Sequence, residues 1–76
     1  MDIKVFSTPT CPYCRMAKEY LSSKSTAYTD VDVSQDDTAR KEMVEVSGQM
    51  GVPVIVIDKE VIVGFDKNKI DSLLSK

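Results

Sequence analysis

Residues 2–24, DIKVFSTPTCPYCRMAKEYLSSK, change their apolar period part-way along, and that change decides the fold. Over residues 2–6 the period is two. Ile3 and Val5 fall on one side and Lys4 and Phe6 on the other, and the β-branched residues suit a strand. After the loop STPT the spacing turns helical, because Cys14, Ala17 and Leu21 share one face of a 3.6-residue period. Pro12 fits the first helical position, where its missing N–H has no helical partner to lose. A strand that feeds a helix needs a second strand to return to, and the alternating AYTDVDV (27–33) supplies it. The two strands should be parallel, joined by a right-handed crossover.

The remainder follows the same logic. SQDD (34–37) gives polar and acidic start signals for a second helix over residues 36–47. Ala39, Met43 and Val46 form its expected buried stripe, and Gly48 its terminator. VPVIVI (52–57) is the most apolar run and reads as a central strand. DK makes a tight turn, and EVIVG (60–64) returns antiparallel to it. A last helix over residues 66–75 should bury Ile70, Leu73 and Leu74. The order β-α-β-α-β-β-α predicts an α/β protein: one mixed four-stranded sheet with helices on both faces, a single domain spanning residues 1–76. No repeat, low-complexity stretch or linker interrupts it.

Seventy-six residues lie near the size at which one core becomes marginal, but a hydrophobic content of 42% argues for a packed core over disorder. Net charge is −2 with both signs mixed along the chain, so no basic stripe points to nucleic acid. MDIKVFS lacks a signal-peptide pattern, and no apolar run reaches transmembrane length. The expectation is a cytoplasmic protein with no membrane partner. In that compartment structural disulfides are rare, and neighbouring cysteines are redox or metal groups. A secreted, disulfide-stapled domain of this size would carry more than two cysteines.

Both cysteines sit in TPTCPYC (8–14). A structural zinc site needs four ligands, and this chain offers two cysteines and no histidine, so zinc would have to be shared between chains. A structural disulfide between Cys11 and Cys14 would close a minimal loop and remove little unfolded-state entropy. The redox reading fits the local physics better. Cys11 falls at the N-cap of the first helix, where unpaired N–H groups and the positive helix end stabilise a thiolate. Cys11 is then the attacking nucleophile and Cys14, one turn inside, the resolving thiol. Arg15 and Lys18 add positive charge to the same turns.

CPYC resembles the motif of dithiol glutaredoxins, and RKEMVEVSGQMGVPVIVIDKEVIVGFD (40–66) resembles that family from its second helix to the end of its hairpin. The resemblance covers nearly the whole chain. It implies the thioredoxin fold and thiol–disulfide exchange at Cys11 and Cys14, with glutathione as co-substrate and no permanently bound cofactor or metal. It implies a cis peptide before Pro53, a position that otherwise reads as an ordinary strand opening, and it leaves the backbone of Val52 free to pair with a cysteinyl backbone. Tyr13 is implied to line the groove beside the reacting sulfur. Arg40, otherwise a solvated helix charge, is implied to reach the glycine carboxylate of glutathione. Asp66 reads as the N-cap of the last helix, with Phe65 and Ile70 placed as a hydrophobic staple. The family uses an Asp there to hold the glutathione ammonium group, with the backbone of Gly64, Phe65 and Asp66 beside the adjoining carboxylate.

Two departures bear on the reductant. Thr8 stands where many glutaredoxins have a lysine, and Val63-Gly64-Phe65 replaces a Gly-Gly pair. The GF pair resembles the glutaredoxin-like electron donors of ribonucleotide reductase, which take electrons from thioredoxin reductase. Those relatives tend to differ between the cysteines and to carry a basic residue at the Asp66 position. The expected partners are therefore glutathione and disulfide-containing or glutathionylated proteins, with the protein acting as a monomer. The reductase-dependent donor is one alternative. Another is an iron–sulfur carrier using Cys11 and glutathione, against which Pro12 and the second thiol argue, and a third is a structural module linking chains through zinc.

Overall fold

The computed structural model describes residues 2–49 and 51–75. Its elements run β1 (Ile3–Ser7), α1 (Pro12–Ser23), β2 (Thr29–Asp32), α2 (Asp37–Ser47), β3 (Val54–Ile57), β4 (Glu60–Val63) and α3 (Lys67–Leu74). The four strands form one sheet in the order β2-β1-β3-β4. β1 lies parallel to β2, with Phe6 opposite Val31, and antiparallel to β3, with Val5 opposite Ile55. β3 and β4 make the hairpin, pairing Ile55 with Ile62. This mixed sheet flanked by three helices is the thioredoxin-like fold.

Strand alternation sorts the core into two layers. Ile3, Val5, Ile55, Ile57 and Ile62 pack against Ala17 and Leu21 of α1 and Ile70 and Leu73 of α3. Phe6, Val33 and Val54 face Ala39 and Met43 of α2 on the other side. Burying each large aliphatic side chain contributes about 1.5–3 kcal/mol, so the two layers hold the sheet between helices.

The boundaries differ from the sequence reading in places that have physical causes. β3 begins at Val54 rather than at residue 52, because Pro53 has no N–H to give a ladder and offers only its carbonyl. β2 begins at Thr29, two residues late, while Tyr28 just before it packs against the core beside α1. Val46, expected in the buried stripe of α2, is 42% exposed. The inner line of that helix instead runs Ala39, Met43, Ser47 at steps of four, and the Ser47 hydroxyl donates to the Met43 carbonyl at 2.6 Å. Leu74 is half-buried at the margin of the core rather than inside it. Gly48 does end α2, with a left-handed φ of 74°.

Candidate active site

The cysteines lie where β1 gives way to α1. Cys11 is the N-cap of α1, extended at φ −95° and ψ 113°, and its sulfur accepts the Cys14 N–H at 3.2 Å. A cap normally offers a serine or aspartate oxygen to that orphan donor. Here the donor faces sulfur. Pro12 occupies the first helical turn, and the Cys11 carbonyl accepts the Arg15 N–H at 3.2 Å. Both cysteines are free thiols, Cys11 half-buried and Cys14 fully buried.

That difference in burial separates their chemistry. Burial pushes the Cys14 thiol up from 9.0 to about 11, and the hydrogen bond to Cys11 adds to the rise. The Thr8 N–H and the Lys18 ammonium pull the other way. Cys14 is therefore a protonated thiol at neutral pH. Cys11 has the more accessible sulfur of the two, at the N-terminal end of α1.

The other candidates are drawn to this corner by backbone contacts. The Cys11 thiol donates a long contact of 4.0 Å to the Val52 carbonyl. The Val52–Pro53 peptide is cis, and Pro53 is buried. The Pro53 carbonyl accepts the Gly64 N–H at 2.8 Å, which ties the start of β3 to the end of β4. Gly64 has φ +83°, a left-handed conformation that favours glycine. Phe65 follows, half-buried with its ring edge-on to Tyr20. Asp66 then caps α3, accepting the Lys69 N–H at 3.1 Å. Cys11, Cys14, Val52, Pro53, Gly64, Phe65 and Asp66 thus form one connected set. Tyr13 stands beside them on the first turn of α1, 62% exposed.

Arg40 is not part of that set. It lies exposed on α2, across the sheet from α1, and its guanidinium pairs with Asp37 on its own helix. Among the described residues, no group of three or more His, Cys, Asp or Glu is placed to hold a metal ion.

One polar cluster at the site escaped the sequence reading. The Ser7 hydroxyl, 2% exposed, donates to Asp30 at 2.7 Å, and Lys18 bridges to Asp30 at 3.2 Å and to Ser7 at 3.5 Å. The alternation Ile3, Val5, Ser7 places a hydroxyl on the buried face of β1, which was the available signal.

Comparison with known proteins agrees with this geometry. The glutaredoxin family model matches residues 3–62. An uncharacterized glutaredoxin-like 8.6 kDa protein from the rubredoxin operon of Clostridium pasteurianum is 54% identical over 74 residues, covering 97% of this chain and 99% of its own. Glutaredoxin 3 of Escherichia coli (strain K12) is 37% identical over 65 residues, covering 86% of this chain and 78% of its own. The crystal structure of a mutant of the thioredoxin-like protein BC3987 superposes with a TM-score of 0.92 at 36% identity, covering 97% of this chain and 95% of that one. With a C-x-x-C pair at the first helix of a thioredoxin-like fold, this chain belongs to the glutaredoxin family of thiol redox proteins.

Proposed function

We propose that this chain is a dithiol thiol–disulfide oxidoreductase that reduces protein disulfides and glutathione mixed disulfides, with glutathione as its reductant. The observation that carries the reading is the asymmetry of the pair: an accessible sulfur capping α1 over a buried, protonated one. Cys11 thiolate attacks a substrate disulfide and forms a mixed disulfide, and the first substrate sulfur leaves as a thiolate. For a protein disulfide, Cys14 then attacks the Cys11 sulfur, releasing the second substrate thiol and leaving Cys11–Cys14 oxidised. One glutathione attacks Cys11 and frees Cys14. A second attacks the bound glutathione sulfur, giving glutathione disulfide and restoring the dithiol. A glutathionylated substrate needs only Cys11 and the glutathione steps.

On this reading the cysteinyl backbone of glutathione pairs with Val52 beside Pro53, as an added strand would. Its γ-glutamyl end sits at the start of α3, against Asp66 and the backbone of Gly64 and Phe65. Tyr13 lines the groove, and Arg40 would reach the glycine carboxylate only after leaving Asp37. The protein works as a monomer in the cytoplasm, where a dithiol is kept reduced, without a resident metal or prosthetic group.

Two variants test the division of labour. Cys11→Ser should lose all exchange activity. Cys14→Ser should lose protein-disulfide reduction yet keep reduction of a small glutathione mixed disulfide. Loss of that activity in Cys14→Ser, or alkylation of Cys14 ahead of Cys11 at neutral pH, overturns the assignment.

A second reading keeps the chemistry and changes the electron source. Thr8 departs from the lysine of many glutaredoxins, the Gly64-Phe65 pair resembles donors reduced by thioredoxin reductase, and BC3987, at 36% identity, is described as thioredoxin-like. Oxidised protein offered NADPH with either glutathione and glutathione reductase or thioredoxin reductase distinguishes them. NADPH oxidation with thioredoxin reductase alone selects the second reading.

A further inference from the structure

We propose that Lys18, held by Asp30 and Ser7, is a positioning residue that promotes ionisation of the resolving thiol Cys14 once Cys11 is engaged in a mixed disulfide. The inference rests on the dithiol reading of the pair. A buried thiol is a poor nucleophile, since only the thiolate attacks. Cys14 is fully buried, so its surroundings must supply what water cannot. In the reduced protein its N–H bonds the Cys11 sulfur at 3.2 Å, and a charge on that sulfur opposes a second charge next to it. When Cys11 is bonded to a substrate sulfur it carries no charge, and that opposition ends. What then remains to favour the Cys14 thiolate is the Thr8 backbone, just past the end of β1, and, more weakly, the charge of the Lys18 ammonium.

Lys18 lies four residues beyond Cys14, on the same side of α1. Its ammonium has two partners. It is 3.2 Å from Asp30 on β2 and 3.5 Å from the Ser7 hydroxyl on β1, with the side chain 24% exposed. Ser7 itself is buried and donates to Asp30 at 2.7 Å, so both anchors are fixed to the sheet under the first turns of α1. On α3, which packs on the same face, Asp71 pairs with Tyr20 and Lys24 further along α1. The titratable and charged groups around this end of the helix are therefore Cys11, Arg15, Lys18 and Asp30, with Asp32 on β2 close enough to feel the Lys18 charge. The step is balanced: Cys14 loses its proton to solvent, its sulfur bonds to the Cys11 sulfur, the Cys11–substrate bond breaks, and the substrate leaves as a thiolate.

An aromatic disulfide with a coloured thiolate, dithiobis(nitrobenzoate), reads the two steps separately without glutathione. Attack by Cys11 releases the first coloured thiolate, and attack by Cys14 releases the second. Lys18→Met keeps the aliphatic stem and removes the charge. A rise of one unit in the Cys14 pKa lowers its thiolate fraction about tenfold and raises thiolate nucleophilicity about threefold, for a net loss of about threefold at neutral pH. The second release should therefore slow about threefold relative to the first. It should draw level with or pass the wild type at high pH, where Cys14 is ionised in both. Lys18→Arg should restore the rate. Lys18→Met/Asp30→Asn, which leaves the pair's net charge at zero, should stay slow. Equal slowing of both releases, a deficit that persists at every pH, or wild-type rates in the double variant overturn the proposal. A wild-type chain left with a nitrobenzoate adduct on each cysteine, in place of a Cys11–Cys14 disulfide, overturns instead the dithiol reading on which it rests.

Discussion

At Asp66 one carboxylate oxygen accepts the Lys69 N–H at 3.1 Å and closes the first turn of α3. The same carboxylate is proposed to hold the glutathione ammonium group. Asparagine caps about as well but carries no charge, so Asp66→Asn should melt almost as the wild type does. Its Michaelis constant for a glutathionylated substrate should rise by up to about fivefold, because an exposed ion pair is worth about 0.2–1 kcal/mol. Asp66→Ala should lose about 0.5–2 kcal/mol of stability as well. Unchanged glutathione kinetics in Asp66→Asn would leave this residue a cap alone. At Cys14 the prediction concerns pH. Burial raises its thiol from 9.0 to about 11, so between those values the folded chain holds a proton that the unfolded chain has released. That contribution to stability is complete below pH 9 and is lost as pH rises towards 11. It amounts to at most about 2–3 kcal/mol. Denaturant midpoints of the reduced protein should fall over that range, and Cys14→Ser should remove most of the slope. An equally steep fall in Cys14→Ser would assign the effect to other groups.

The elements show what a sequence period can and cannot reveal. α1 was legible because Pro12, Cys14, Ala17 and Leu21 agree on its start and its buried face, and the structure buries the last three completely. α2 was legible in extent but not in face. Val46 and Ser47 are adjacent, and only packing against the sheet decides that the inner line passes through Ser47. The Ser7–Asp30–Lys18 cluster was illegible for a related reason. Its members come from β1, β2 and α1; the β1 alternation hints at Ser7 and the helical spacing at Lys18, but nothing local ties either to Asp30. The end of α2, by contrast, is a local matter. Gly48 has φ 74°, and its N–H returns to the Val44 carbonyl at 2.8 Å. A Cβ there meets no neighbour within 4 Å, so the cost of Gly48→Ala is backbone strain alone, about 1–2 kcal/mol. Gly48→Asn should cost less, since asparagine tolerates the left-handed region. Urea denaturation of both variants checks the order, and equal losses would point to something other than backbone conformation.

Across the whole molecule the site is assembled from segments far apart in sequence, at residues 8–14, 52–53 and 64–66. The parallel pair and the hairpin could each be read from their own stretch of chain. What joins them is the antiparallel pairing of β1 with β3, Val5 opposite Ile55. That pairing brings Val52 and Pro53 up to Cys11, and no local pattern encodes it beyond the apolarity of VPVIVI. The family resemblance supplied Val52, Pro53 and Asp66 as candidates, and the fold shows how they meet. Activity therefore depends on the core that holds the sheet between helices, and Leu21→Ala tests whether it does so only by keeping the chain folded. Leu21 is fully buried two turns along α1 from Cys14, against β1, β3 and α3. Replacing it with alanine should cost about 2–5 kcal/mol. A chain of this length typically has roughly 4–11 kcal/mol in total. The variant should melt about 10–30 °C lower and approach half-unfolded near physiological temperature if the loss is at the upper end. The caps at Cys11 and Asp66 lie outside the cavity it leaves. In the cold, with circular dichroism reporting full folding, its kcat/KM for a glutathionylated substrate should match the wild type. With added urea, activity should fall in step with the folded fraction. Activity lost before the fold is lost would mean that α1 shifts on the sheet and carries Cys11 away from Val52, which would make the packing at Leu21 part of the geometry of the site.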